Sequence, residues 1–172
     1  MKFLIFAITI ILSITTYAQK KPKVTDKIDE FEGFRIIKAD KKALGVVQLS
    51  VRAIITDKDT LYKVNTNLIN TGGILDKAKP YFVILSNKNK YKLDILYSSI
   101  PSSFTNGSYI TNYTFQIPNE NVLEFMKVPI INTRIYYINN TYDELSGGVV
   151  TTSLTTYLTA IYNRVNAIDS KK

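Results

Sequence analysis

Asn132, Arg134 and Tyr136 alternate along Ile130 to Ile138, a stretch whose remaining positions are mostly apolar. The two-residue repeat of a strand puts these three on one face, opposite Ile131, Thr133, Ile135 and Tyr137. An arginine fork grips a carboxylate or phosphate. A tyrosine adds a flat ring with a polar tip, and an asparagine amide adds a donor and an acceptor. The three form the candidate ligand-binding set, with chemistry suited to a glycan or a protein. For Arg134, as for Arg35 and Arg52, the competing reading is an ion pair with a neighbouring acid. Tyr109 and Tyr113 fall on the side of Phe115 and Ile117, which assigns them to the core.

The chain has no histidine, cysteine or tryptophan. Ser-His-Asp and Cys-His triads are thereby excluded, as are zinc sites built on imidazole or thiolate. No catalytic residue, metal ligand or cofactor is assigned. Any catalyst here would have to use carboxylates or a lysine. Asp29, Glu30 and Glu32, before Gly33, are the densest acids. Paired acids could hold a hard cation or cleave a glycoside, which needs two of them roughly 5 to 10 Å apart. The regular acid spacing of a calcium loop is missing, and a charged strand edge is the competing reading. Asp57 and Asp59 read as a hairpin tip, Asp143 and Glu144 as a loop. Gly72-Gly73 and Gly147-Gly148 lack the Lys-Ser/Thr or third glycine of a phosphate loop and read as turns.

These residues must be positioned by a β-rich fold. Phe34 to Ile37 is a short strand; Val46 to Thr56 and Leu61 to Ile69 form a hairpin across Asp57-Lys58-Asp59. Tyr81 to Leu85 is apolar throughout, hence covered on both faces. Tyr91, Leu93, Ile95 and Tyr97 form one returning strand, and Tyr109 to Ile117 another, stopped by Pro118. Asn119 is the expected N-cap of a helix to Lys127, with Val122, Leu123 and Met126 buried. From Val150 the apolar residues Leu154, Tyr157, Leu158, Ile161, Val165 and Ile168 take helical spacing. The fold class is α+β: six or seven mainly antiparallel strands in a curled sheet, the short helix near 119–127, and a C-terminal helix on the sheet. A β-sandwich with a flanking helix is the alternative.

The first eighteen residues carry Lys2, an apolar run from Phe3 to Leu12 and a small-residue exit before Gln19, the pattern of a secretory signal peptide. The organisation expected is a leader at 1–18, a flexible lead-in at 19–30, one globular domain at 31–169 and a tail at 170–172. The compartment is periplasmic or extracellular, with no transmembrane anchor after cleavage. Of the net charge of +8, Lys20, Lys21, Lys23, Lys171 and Lys172 sit in the tails, so the folded body is near balance and no nucleic-acid partner is expected.

Asp29-Glu30-Phe31-Glu32-Gly33 resembles the Asp-x-Phe-Thr-Gly segment of small exported Bacteroidetes-type proteins of unassigned function, with Glu32 in place of the threonine. Thr133-Arg134-Ile135 is similar to a later strand of that group, and the order of elements agrees from about residue 26. The resemblance implies the fold and the exported compartment, and brings no activity or site residues. The functional expectation is a secreted or periplasmic, non-catalytic binding or envelope-associated protein. The alternatives are a carboxylate-dependent glycoside hydrolase, or a secreted inhibitor or effector acting through the loop from Ser98 to Gly107.

Overall fold

Alternating apolar side chains build the central strands, and turn chemistry joins them. The computed structural model describes residues 21–170 apart from 44–45, 71–72 and 104–107, and leaves the side chains of 43, 46, 47 and 70 undescribed. The leader expected at 1–18 lies outside the described residues. In chain order the elements are β1 (Val24–Ile28), β2 (Arg35–Ala43), β3 (Val46–Ile55), β4 (Thr60–Asn70), β5 (Tyr81–Leu85), β6 (Lys90–Leu93), β7 (Ile95–Ser98), β8 (Ser102–Ser103) and β9 (Tyr109–Ile117). A 3-10 turn (Asn119–Asn121) leads into α1 (Val122–Lys127), then β10 (Ile130–Tyr136), β11 (Tyr142–Leu145) and α2 (Val149–Asp169).

The described strands pair antiparallel in two sheets. The larger runs β1-β2-β3-β4-β9-β7 with β8 also on β9, and the smaller runs β11-β10-β5-β6. One face of the large sheet carries Ile37, Val51, Val64, Phe115 and Ile117, all buried. The small sheet covers part of that face, with the Tyr81 ring 4.9 Å from Phe115 and 5.6 Å from Tyr113. Helix α2 covers β2 and β3 with Leu154, Leu158, Ile161 and Val165. Mainly antiparallel sheet under a C-terminal helix is the class the spacing predicts. Its eleven described strands, however, divide between two layers.

Several local expectations are corrected. Among the described residues a strand, β1, already lies within the segment read as a lead-in at 19–30. That segment has little to bury, but its backbone pairs with β2. Asp26 anchors it by accepting from Arg35 at 2.6 and 2.8 Å and from Arg164 of α2 at 2.7 Å. The single strand expected through Tyr91 to Tyr97 is two: the chain leaves the small sheet after Leu93 and enters the large one at Ile95. Leu93 and Ile95 are both buried and Asp94 is exposed, so the alternation runs unbroken through the corner. Asn119 caps nothing; its amide donates to Asp59 at 2.7 Å. Helix α1 buries Val122 and Phe125, while Leu123 is 47% exposed. Asp143 and Glu144 lie in β11 and not in a loop. Ser102 and Ser103 likewise pair with β9 inside the segment read as a loop. No helix among the described residues is long and apolar enough to cross a membrane.

Candidate functional site

The outward face of the small sheet collects the candidate residues in register. Ile84 of β5 stands between Lys90 of β6 and Asn132 of β10. In the next row Phe82 stands between Lys92 and Arg134, with Glu144 beyond on β11. Tyr136 is opposite Tyr142 in the third. The inward residues Tyr81, Val83, Leu93, Thr133 and Ile135 are buried, so the sheet is apolar on one side and polar-aromatic on the other. A register shift between Ile130 and Asn132 turns Ile131 outward, 48% exposed, against the side its spacing predicts.

Two anchors position this face. Glu124 of α1 accepts from Asn87 and Asn89 at 2.8 and 2.6 Å and from the Tyr91 hydroxyl, and these bonds hold its carboxyl below the usual range. They fix the β5–β6 turn, where Lys88 adopts φ +71°, and hence the placement of Lys90 and Lys92. On the other side Tyr137 points inward and donates to Asp143, which ties β10 to β11.

Three rings of the face each carry a cation. Lys92 Nζ lies 5.7 Å from the Phe82 centroid, Lys79 Nζ 5.2 Å from Tyr136, and the Arg134 guanidinium 4.6 Å from Tyr142. The rings are themselves neighbours, 5.9 Å apart for Phe82–Tyr136 and 5.8 Å for Tyr136–Tyr142. Arg134 donates to Glu144 and, at 3.4 Å, to the Tyr136 hydroxyl; these partners raise its pKa further above the ordinary guanidinium value. Its fork is thus engaged within the protein, which is the ion-pair alternative for this residue. Asn132 and Arg134 line a hollow of about 210 Å³ with Phe82, Ile84, Lys90 and Glu144. Tyr136 adjoins that hollow through Arg134 without lining it. The lysines and Phe82 were not singled out from the sequence. Their signal, Lys90 and Lys92 flanking Tyr91 before Leu93, is legible only once β6 is known to pair with β5.

A larger cleft of about 340 Å³ opens between the layers where α2 begins, with Tyr81, Tyr113 and Thr133 in its wall and Gly147, Gly148 and Thr151 at its rim. The Tyr81 hydroxyl shares hydrogen bonds with Tyr113 and Thr133, and burial pushes both phenols up. Tyr113 is 2% exposed, the core role its alternation predicts; Tyr109, at the strand end, is 38% exposed.

The acids take local duties. Asp29 accepts the Phe31 and Glu32 amides at 3.0 Å and so closes the β1–β2 turn, with Gly33 at φ +72°. Asp59 accepts from its own turn's Thr60 at 2.7 Å. The interlayer cleft is lined by no acid, the small-sheet hollow by Glu144 alone, and a third cleft by Asp94 alone. None of these clefts offers the paired acids that the glycosidase alternative requires. Among the described residues there is no group of three potential metal-ligating acids.

No protein-family model matches the chain, and no curated protein matches it. Among solved structures it is similar to the crystal structure of invasion associated protein b from Bartonella henselae, with a TM-score of 0.52 at 8% identity. The match covers 88% of this chain and 97% of that one. A likeness at this identity carries the fold alone: the two chains share an architecture of β-layers and helices.

Proposed function

We propose that the protein is an exported, non-catalytic recognition module of the cell envelope, which binds a protein or glycan on the outer face of its small sheet. The observation behind this reading is the layered chemistry of that face. Rings of Phe82, Tyr136 and Tyr142 lie under cations, and Asn132 and Lys90 border a shallow hollow beside them. Tyrosine and arginine are among the residues that dominate binding energy at recognition surfaces, and cation–π contacts hold the charged heads in place before a partner arrives. The compartment rests on the leader-like first eighteen residues. The name of the Bartonella protein associates that protein with invasion; the likeness to it lends this chain its fold and no role.

Binding of the fluorescently labelled protein to intact cell envelopes tests the reading. Tyr136→Ala combined with Lys92→Ala should weaken binding at least five-fold, while Lys58→Ala at the β3–β4 tip should leave it unchanged. Equal binding by the face variant and the parent would refute the site. A saturable turnover abolished by changing one Asp or Glu would refute the non-catalytic class.

A further inference from the structure

The outward face of the large sheet carries a second feature, independent of the small sheet. Lys38 of β2 is the register partner of Arg52 of β3, and Arg52 is the partner of Lys63 of β4. Residues directly opposite share a face, so three cations stand side by side across neighbouring strands, about 4.8 Å from one strand to the next. Gln116 of β9 ends the row. Like charges directly opposite are destabilising. Nor is this the usual charged edge that blocks aggregation, since β3 and β4 are interior strands of their sheet.

The acids nearby do not cancel the row. Asp40 accepts from Lys38 at 2.9 Å. Among the described residues, Arg52 and Lys63 take part in no ion pair. In the adjoining row Asp40 is opposite Ser50, and Ser50 is opposite Asn65, whose amide donates to Thr114 at 2.9 Å. Ser50 is only 2% exposed, yet its hydroxyl has no hydrogen-bond partner, and the buried Nε of Arg52 and Oδ1 of Asp40 also lack one. Buried polar groups are nearly always satisfied; here a hydroxyl and a guanidinium N–H stand unpaired against a single unpaired carboxylate oxygen.

From this juxtaposition we infer that the face binds a doubly charged tetrahedral oxyanion, a phosphate or sulfate group, between Arg52 and Lys63. Three cations against one carboxylate leave a surplus of two positive charges, which a dianion neutralises and a carboxylate would only halve. The Arg52 guanidinium and the Lys63 ammonium hold the ligand from adjacent strands through charge-assisted hydrogen bonds. Lys38 engages one oxygen of Asp40, the one acid of the patch, and offsets its charge. The apolar row Ile36, Ile54 and Leu61 borders the cations on the other side, and bulk water there is displaced by side-chain carbon. The group arrives either as the free ion or as an ester on a sugar; both present the same oxygens.

Calorimetric titration of the full chain with inorganic sulfate and with phosphate, at constant ionic strength in chloride, tests the site. Saturable binding is expected, weakened at least ten-fold in Arg52→Gln and in Lys63→Gln, and unchanged in Lys92→Ala on the other sheet. In anion-free buffer Lys63→Gln should unfold at the same or a higher temperature than the parent, because it relieves repulsion, and should lose the upward shift that millimolar sulfate gives the parent. Displacement of bound sulfate by dextran sulfate assigns the site to esters; binding without displacement assigns it to the free ion. Absence of saturable heat overturns the proposal. So does a sulfate response that survives in Lys63→Gln, or a Lys63→Gln variant markedly less stable than the parent without anion.

Discussion

A methyl group added at Gly73 should unsettle the outer face of the small sheet from behind. A Cβ there would stand 2.2 Å from Cδ1 of Tyr137 and 2.6 Å from its Cγ, where carbon atoms at rest keep about 3.5 to 4.0 Å. The overlap exceeds an ångström, and the ring has little freedom to yield. Tyr137 is 4% exposed, its hydroxyl donates to Asp143, and its backbone bridges to Leu75. On either side the Asp76 amide donates to Tyr136 O at 2.9 Å and the Ile138 amide to Ile74 O at 3.0 Å. Gly73→Ala should therefore cost about 3 kcal/mol, the upper end of the range for overpacking. In a chain of this length that lowers the melting temperature by roughly 6 to 12 °C. Tyr137→Ala alone should cost about 3 to 5 kcal/mol through its cavity. The double variant, measured by urea unfolding, should be no worse than Tyr137→Ala, because the clash is then gone. Costs that simply add would refute the argument, since residues in direct steric conflict must couple.

Gly33→Ala offers the opposite case: φ is +72° with open space around the Cβ, so only backbone strain, about 1 to 2 kcal/mol by denaturant unfolding, is expected. Asp26→Asn should lower the thermal midpoint at pH 7 and flatten its fall in acid. Hydrogen bonds from Arg35, and then Arg164, hold this carboxyl below its usual value. Its stabilising contribution is full above the unfolded-state value of about 3.9 and is lost as pH falls through the folded one; an unchanged acid limb would contradict this. Tyr62 is pushed up to about 12, by burial first and then by Tyr162 and Asp169. Its contribution is complete below pH ~10 and lost as pH rises through the folded value. Phenolate absorbance should therefore show a late-titrating class, and Tyr62→Phe should lessen the loss of stability between pH 10 and 12. Leu158→Ala, at a fully buried position under α2, should cost about 2 to 5 kcal/mol, read as a shift in the urea midpoint.

Much of the fold was legible because it is written in local period. Val47 to Ile55 and Tyr109 to Ile117 alternate without interruption, and both are strands of the large sheet. The stripe from Val150 to Val165 keeps helical spacing despite five threonines, and its docking on β2 and β3 is what the stripe predicts. What escaped was non-local. No residue between Tyr91 and Tyr97 announces a change of sheet, because Leu93 and Ile95 face the same apolar interior from opposite layers. Strand β1 has almost no apolar signal, and Asp26 finds Arg164 across 138 residues of chain. Ile131 belongs to the outer face because of a register shift that alternation alone does not reveal.

The candidate site shows the same division more sharply in two arginines. Arg52 and Arg134 stand in near-identical surroundings by sequence, each a cation on the polar side of an alternating apolar strand. Period two assigns both to an outer face, and both are there. Their electrostatics are decided by the strands brought alongside. Register sets Glu144 opposite Arg134, so its fork is held within the protein. Register sets Lys38 and Lys63 opposite Arg52, so its charge is reinforced where Arg134's is cancelled. An ion pair and an anion site thus arise from the same local pattern. Exchanging the partners, by Glu144→Lys on one sheet and Lys63→Glu on the other, should exchange the behaviour. Sulfate affinity should vanish from the large sheet and emerge beside Arg134. Retention of sulfate binding by Lys63→Glu would show that the register argument fails.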